Sequence, residues 1–148
     1  MKILAENKKA FFDYDFMEKY EAGLVLLGPE VKSIKIGRIN INAAFVSLRG
    51  NELFLINCNI PPYQANNMPG NYDPERYRKL LVTSQEIKYL TGKLAQKGLT
   101  LVPIKVYTKK SKIKLEFGLG KSKRKVNKRQ DLKNRDIQRD TERSLQDY

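Results

Sequence analysis

The segment KIKLEFGL at residues 112–119 sets Ile113, Leu115, Phe117 and Leu119 against Lys112, Lys114 and Glu116 in strict alternation. A period of two belongs to a strand with one face on a core and the other in water, as in an antiparallel sheet. LTLVPIKVY at 99–107 aligns Val102, Ile104 and Val106 in the same way, and the polar connection TKKSK makes the two a hairpin. Pro103 donates no backbone hydrogen bond, which assigns it to an edge or a bulge. AAFVSLR and ELFLI flank Gly50-Asn51, a two-residue loop suited to a type II′ turn. YEAGLVLL at 20–27 reads as a further strand and AFFDYDF as a short one before it, giving five or six strands in all.

Two helices interrupt these strands. Ile87, Leu90 and Leu94 form one stripe over 84–97, with Thr83 and Glu86 at capping-box spacing and Gly98 as the stop. Pro29, Val31, Ile34 and Gly37 predict a short helix over 29–36. Four of the six prolines fall between Asn57 and Lys79, which therefore reads as a surface excursion. The expected fold is mainly β: a small closed antiparallel β-barrel of the oligonucleotide-binding (OB) type, with flanking helices and a basic C-terminal tail. A sandwich is the alternative.

The chain has 148 residues, enough for one globular core. Its formal charge of +13 calls for a polyanionic partner. No uninterrupted apolar run is longer than Leu24–Leu27, far below the roughly 20 residues that span a bilayer. The N-terminus lacks the apolar core of a secretory signal, so a cytoplasmic location is expected. One cysteine, Cys58, and no histidine exclude an internal disulfide, a histidine base and the usual zinc constellations. No cofactor, metal or catalytic residue is expected. Cys58 reads as a small buried hydrophobe.

Charge is densest at the end: 121–148 carry 10 basic and 5 acidic side chains, against 19 and 11 in 1–120. The division expected is a barrel with helices over 1–120 and a basic tail over 121–148. The tail has too few apolar residues for a buried face, so it is expected to be disordered when free and to order on a polyanionic surface. Arg135, Arg139 and Arg143 would then form one stripe. Lys121, Lys123, Arg124, Lys125, Lys128 and Arg129 make its densest cluster, and Lys133 adds to it.

The block LGPEVKSIKIGRIN combines Lys32, Lys35 and Arg38 with a single acid, Glu30. In the first helical turn a carboxylate is favoured by the helix dipole. The functional reading is that lysines and arginine attract an RNA backbone while Glu30 accepts hydrogen bonds from base edges or a 2′-hydroxyl. Tyr63, Tyr72 and Tyr77, interleaved with Arg76, Arg78 and Lys79, either pin the loop or stack bases. Lys8 and Lys9 beside Asn7 are either a frayed terminus or a phosphate contact. Asp73, Glu75 and Glu86 have no metal-ligand spacing, yet they are the acids a magnesium-dependent nuclease would use.

The blocks NKKA at 7–10, YEAGLVLLGPEVKSIKIG at 20–37, DPERYRKLL at 73–81, KGLTLVPIKVY at 97–107 and GLGKSKRKVNKRQDLKNRD at 118–136 resemble the SsrA-binding proteins, the SmpB family. The resemblance spans nearly the whole chain. It implies an OB-type barrel without catalysis that binds the tRNA-like domain of transfer-messenger RNA and delivers the RNA to a stalled ribosome; the free chain is expected to be monomeric. It implies RNA-binding roles for Asn7, Lys8, Glu30, Val31, Lys32 and Ser33, and a helical tail near the decoding centre carrying Lys128 and Arg129. Lys35, Arg38, Lys79, Lys121 and Lys123 join the RNA-binding set by charge, and Arg124, Lys125, Lys133, Arg135, Arg139 and Arg143 the ribosome-facing tail. The chain departs from the family at Asn127, where Asp is usual; at Val126, where an aromatic or histidine is common; and at Phe11-Phe12, where Arg-His is common.

Overall fold

The computed structural model describes residues 1–64 and 70–123. These form β1 (Lys2–Glu6), α1 (Ala10–Asp13), β2 (Tyr14–Leu24), α2 (Gly28–Lys35), β3 (Phe45–Arg49), β4 (Glu52–Ile56), β5 (Arg78–Leu81), α3 (Ser84–Leu94), β6 (Leu99–Lys109) and β7 (Lys112–Ser122). Every strand pairing is antiparallel. The strand order is β1-β6-β3-β4-β5-β2-β7, and β7 pairs again with β6. The mainly-β architecture follows from the alternation in the sequence.

The β3–β4 hairpin turns at Gly50 and Asn51, with φ 64° at Gly50. That is the left-handed first position a type II′ turn requires. The β6–β7 hairpin is tighter than the five-residue connection expected. Lys109 pairs with Lys112, so Lys110 and Ser111 alone make the turn, at φ 51° and 66°. Neither is glycine or asparagine, so composition gave no sign of it.

Alternation on β7 is as expected: Ile113, Leu115, Phe117 and Leu119 are all buried in the core. The single face proposed for Val102, Ile104 and Val106 is corrected by a bulge. Pro103 pairs with Phe117 and Lys105 with Glu116, leaving Ile104 as the extra residue. A bulge reverses the facing of every later residue. Leu101 and Val106 therefore enter the central core, while Val102 lies across from Gly118 on the other side. That side is closed by Phe16: a Cβ on Gly118 would sit 2.5 Å from the Phe16 ring. Only glycine permits that approach.

Other differences have similarly local causes. The two strands expected between Ala10 and Leu27 are one turn of helix, α1, followed by the single long strand β2. Lys19 and Glu21 occupy its solvent side, and a register shift between Phe16 and Glu18 lets it follow β7 throughout. β1 and β5 were not foreseen, being short and flanked by charge. α3 has the expected capping box, with Thr83 Oγ1 accepting from the Glu86 amide at 3.1 Å and the Glu86 carboxylate accepting from the Thr83 amide at 3.0 Å. Leu90 is fully buried while Ile87 and Leu94 of the same stripe are half-buried, and the helix stops at Leu94, three residues before the expected end.

Candidate nucleic-acid interface

α2 begins without a Ser, Thr, Asp or Asn cap, because Leu27 holds that position. Glu30 substitutes from inside the helix: its Oε1 accepts from the Leu27 amide at 2.8 Å. The same carboxylate joins a buried network. Oε1 also accepts from Arg76 Nη2 at 2.5 Å, and Oε2 accepts from Arg76 Nε at 3.0 Å and from Arg78 Nε and Nη2 at 3.0 and 2.5 Å. Arg78 is itself buried and donates to Cys58 O at 2.6 Å and to the Tyr72 hydroxyl at 3.0 Å. That hydroxyl lies 2.7 Å from Ile60 O and 3.0 Å from Glu30 Oε2.

Burial alone would push the Glu30 carboxyl up, but the donors from Arg76, Leu27 and Arg78 outweigh it and hold the group below its ordinary range. Burial and the Glu30 charge push Tyr72 up to about 12. The acid in this basic block thus balances two guanidinium groups.

This geometry turns Glu30 toward the protein rather than toward solvent. Its side chain has no exposed surface, and both oxygens are occupied by protein donors. Ser33 also points inward, its Oγ donating to Pro61 O at 2.7 Å. Lys32 and Lys35 of the same helix remain exposed. Lys32 Nζ lies 5.9 Å from the Tyr63 ring centre, and Arg38 Nη1 lies 3.5 Å from Tyr63 O. Lys32 and Arg38 therefore meet at Tyr63, beside a helix that the buried triad locks in place.

Val31 turns the other way and lines a groove of about 330 Å³ with Gly23, Leu24, Leu26, Leu81 and residues 111–114. Lys112 and Lys114 bring cations to an apolar slot in which Leu81 is 53% exposed. Leu81, Lys112 and Lys114 line this groove without having been singled out in the sequence. Alternation put both lysines on the wet face of β7, but gave no sign that the β6–β7 turn folds against α2.

Asn7 is a structural pin: its amide donates to Ile104 O at 2.7 Å and its Nδ2 to Pro103 O at 3.2 Å, anchoring the chain to the β6 bulge. Lys8 and Lys9 are exposed and border a second concavity with Glu6 and Asn42. Asn42 belongs to the loop that follows Arg38, so this loop links α2 to the two lysines. Lys79 pairs with Glu52. Lys121 lies in β7 opposite Asp15 and Leu99. Lys123 donates from Nζ to Phe11 O at 3.2 Å and from its amide to Asp13 O at 3.0 Å. Arg124, Lys125, Val126, Asn127, Lys128, Arg129, Lys133, Arg135, Arg139 and Arg143 lie outside the described residues.

The acids considered for metal chemistry serve local structure. Asp73 Oδ1 accepts from the Glu75 amide at 2.9 Å, and Glu86 caps α3. Among the described residues no group of three or more Cys, Asp and Glu side chains is placed to hold a metal. Cys58 is buried, and that burial pushes its thiol up to about 12. No helix among the described residues is long and apolar enough to cross a membrane.

A family profile described as SmpB protein matches residues 4–147. The chain belongs to the SmpB family. It is 48% identical over 145 residues to the SsrA-binding protein of Thermosynechococcus vestitus, covering 98% of this chain and 95% of that protein. It is 48% identical over 144 residues to the SsrA-binding protein of Carboxydothermus hydrogenoformans, covering 97% and 96%. A chain in a solved structure described as "tmRNA-SmpB: a journey to the center of the bacterial ribosome" is similar with a TM-score of 0.66 and 42% identity, over 82% of this chain and 85% of that one. The SmpB resemblance carried by the sequence blocks thus extends over residues 4–147.

Proposed function

We propose that this chain is an RNA-binding adaptor that holds the tRNA-like domain of transfer-messenger RNA and delivers it to stalled ribosomes for trans-translation. The observation that carries the proposal is the exposed cationic set Lys32, Lys35 and Arg38, presented by a helix locked through Glu30, Arg76 and Arg78. Such a surface attracts phosphates, while its fixed position selects a shape. The SsrA-binding relatives and the solved tmRNA-SmpB neighbour supply the identity of the RNA. Lys8 and Lys9 extend the contact past Asn42, and the groove beside Val31 offers an apolar slot with lysines at its rim. Glu30, Ser33 and Asn7 act by positioning these groups.

The strands β6, β3, β4, β5, β2 and β7 close into a barrel of OB type in this reading, since the pairings return from β7 to β6. The adaptor works as a monomer in the cytoplasm, where ribosomes stall, and performs no reaction of its own. Residues 124–148 supply the ribosome contact through Lys128, Arg129 and the Arg135, Arg139 and Arg143 stripe.

The test is peptide tagging on ribosomes stalled on a truncated message. Because β7 runs to Ser122 and Lys123 is tied to α1, the informative truncation follows Lys123. The shortened chain is expected to bind the tRNA-like RNA as the full chain does and to support no tagging. Tagging at the full rate would contradict the division of labour. Cleavage of labelled RNA in magnesium, lost on Asp73→Asn, would favour a nuclease instead, and equal affinity for poly(U) and the folded RNA would favour a nonspecific single-strand binder.

A further inference from the structure

The outer surface of the β3–β4–β5 ladder has its own chemistry. Alternation sends Val46, Leu53, Leu55, Arg78 and Leu80 inward, where all are buried. It sends Arg49, Phe54 and Lys79 outward, with Phe54 directly opposite Lys79. Tyr77, two residues before Lys79, shares their side and is 49% exposed. Its ring centre lies 6.3 Å from that of Phe54, and the Arg49 guanidinium carbon lies 5.1 Å from it.

Four tyrosines of this fold are tied by their hydroxyls: Tyr20 and Tyr89 donate to Glu18, Tyr107 to Glu21, and Tyr72 to Ile60 O. Among the described residues the Tyr77 hydroxyl has no such partner. Its ring is half open, held by Arg49 and Phe54 rather than by a polar bond. Aromatic rings presented in this way beside cations form the stacking platforms of single-strand binders. Lys79 is paired with Glu52, but the two side chains are 44% and 46% exposed. An ion pair so open to water contributes little, so a phosphate can displace Glu52 from Lys79.

We propose that the β3–β4–β5 face is a second RNA contact, where an unpaired base of single-stranded RNA stacks on Tyr77 beside Phe54 while Arg49 and Lys79 meet the flanking phosphates. Glu52 opposes the contact by occupying Lys79 and repelling the backbone. This site goes beyond the tRNA-like contact at α2, because it takes a strand with its bases unstacked and asks for no folded shape.

The test is a titration of the intact chain at low salt with single-stranded oligoadenylate of roughly eight nucleotides, followed by the ring resonances of Tyr77 and Phe54. Both rings are expected to shift upfield. Tyr77→Phe should bind as the parent does, and Tyr77→Ala at least about fivefold more weakly. Glu52→Gln should bind more tightly. Unmoved rings at saturation, or parental affinity in a Tyr77→Ala chain with an intact circular dichroism spectrum, would overturn the proposal. Lys32→Ala/Lys35→Ala separates the two readings: it should weaken the tRNA-like RNA and leave the ring shifts on oligoadenylate in place.

Discussion

Glu30 is the residue on which the surface around α2 turns. Without its charge, Arg78 is left as a buried cation facing only Cys58 O and the Tyr72 hydroxyl. Breaking a buried pair in this way costs about 3–5 kcal/mol. Glu30→Gln should therefore lower the urea midpoint of unfolding by the equivalent of that loss. The folded carboxyl titrates below its ordinary value of 4.5, so its contribution is complete above that pH and is lost as the pH falls through the lower folded value. The midpoint difference between the parent and Glu30→Gln should thus be constant from neutral pH down to about 4.5 and shrink only below it. The sequence disclosed an acid at the start of a helix, which the structure places in its first turn. It could not disclose the partners, because Arg76 and Arg78 lie 46 and 48 residues away and reach Glu30 only once the proline-rich excursion folds back. Charge pattern predicted a residue for RNA, whereas burial made it a residue for the protein.

At the scale of elements, legibility depended on whether the signal was local. The capping box of α3, the Gly50 turn and the alternation on β7 each rest on residues a few positions apart, and each is present in the fold. Pro103 signalled the bulge at β6, but its consequence, the change of face between Val102 and Val106, depends on pairing with β7. The turn at Lys110 and Ser111 was hidden for a different reason. Side chains with a Cβ rarely adopt left-handed backbone, at a cost of roughly 1–2 kcal/mol per residue, so nothing in TKKSK suggested so short a connection. The strain is removable. Lys110→Asn with Ser111→Gly places the residues preferred for this turn and should stabilise the chain by about 1–2 kcal/mol, read as a rise in the thermal midpoint. An unchanged or lower midpoint would show that the lysine and serine are not strained there.

For the whole molecule, charge announced a polyanion partner, alternation a β fold and the motif blocks its family, but the surface proposed for binding was legible only in part. Exposed Lys32, Lys35 and Arg38 were picked by charge and do face solvent. Leu81, Lys112 and Lys114 were missed because the meeting of β5, α2 and the β6–β7 turn is set by long-range pairings such as Gly23 with Leu81. In the proposed function, phosphates of a folded RNA are met by the lysines of α2. The most direct test is the salt dependence of binding to the tRNA-like domain of transfer-messenger RNA, compared between the parent and Lys32→Ala/Lys35→Ala. Each phosphate contact removed should flatten the slope of log affinity against log salt by roughly 0.7–0.9, so the double variant should lose about 1.5 units of slope. A slope and affinity equal to those of the parent would contradict the account.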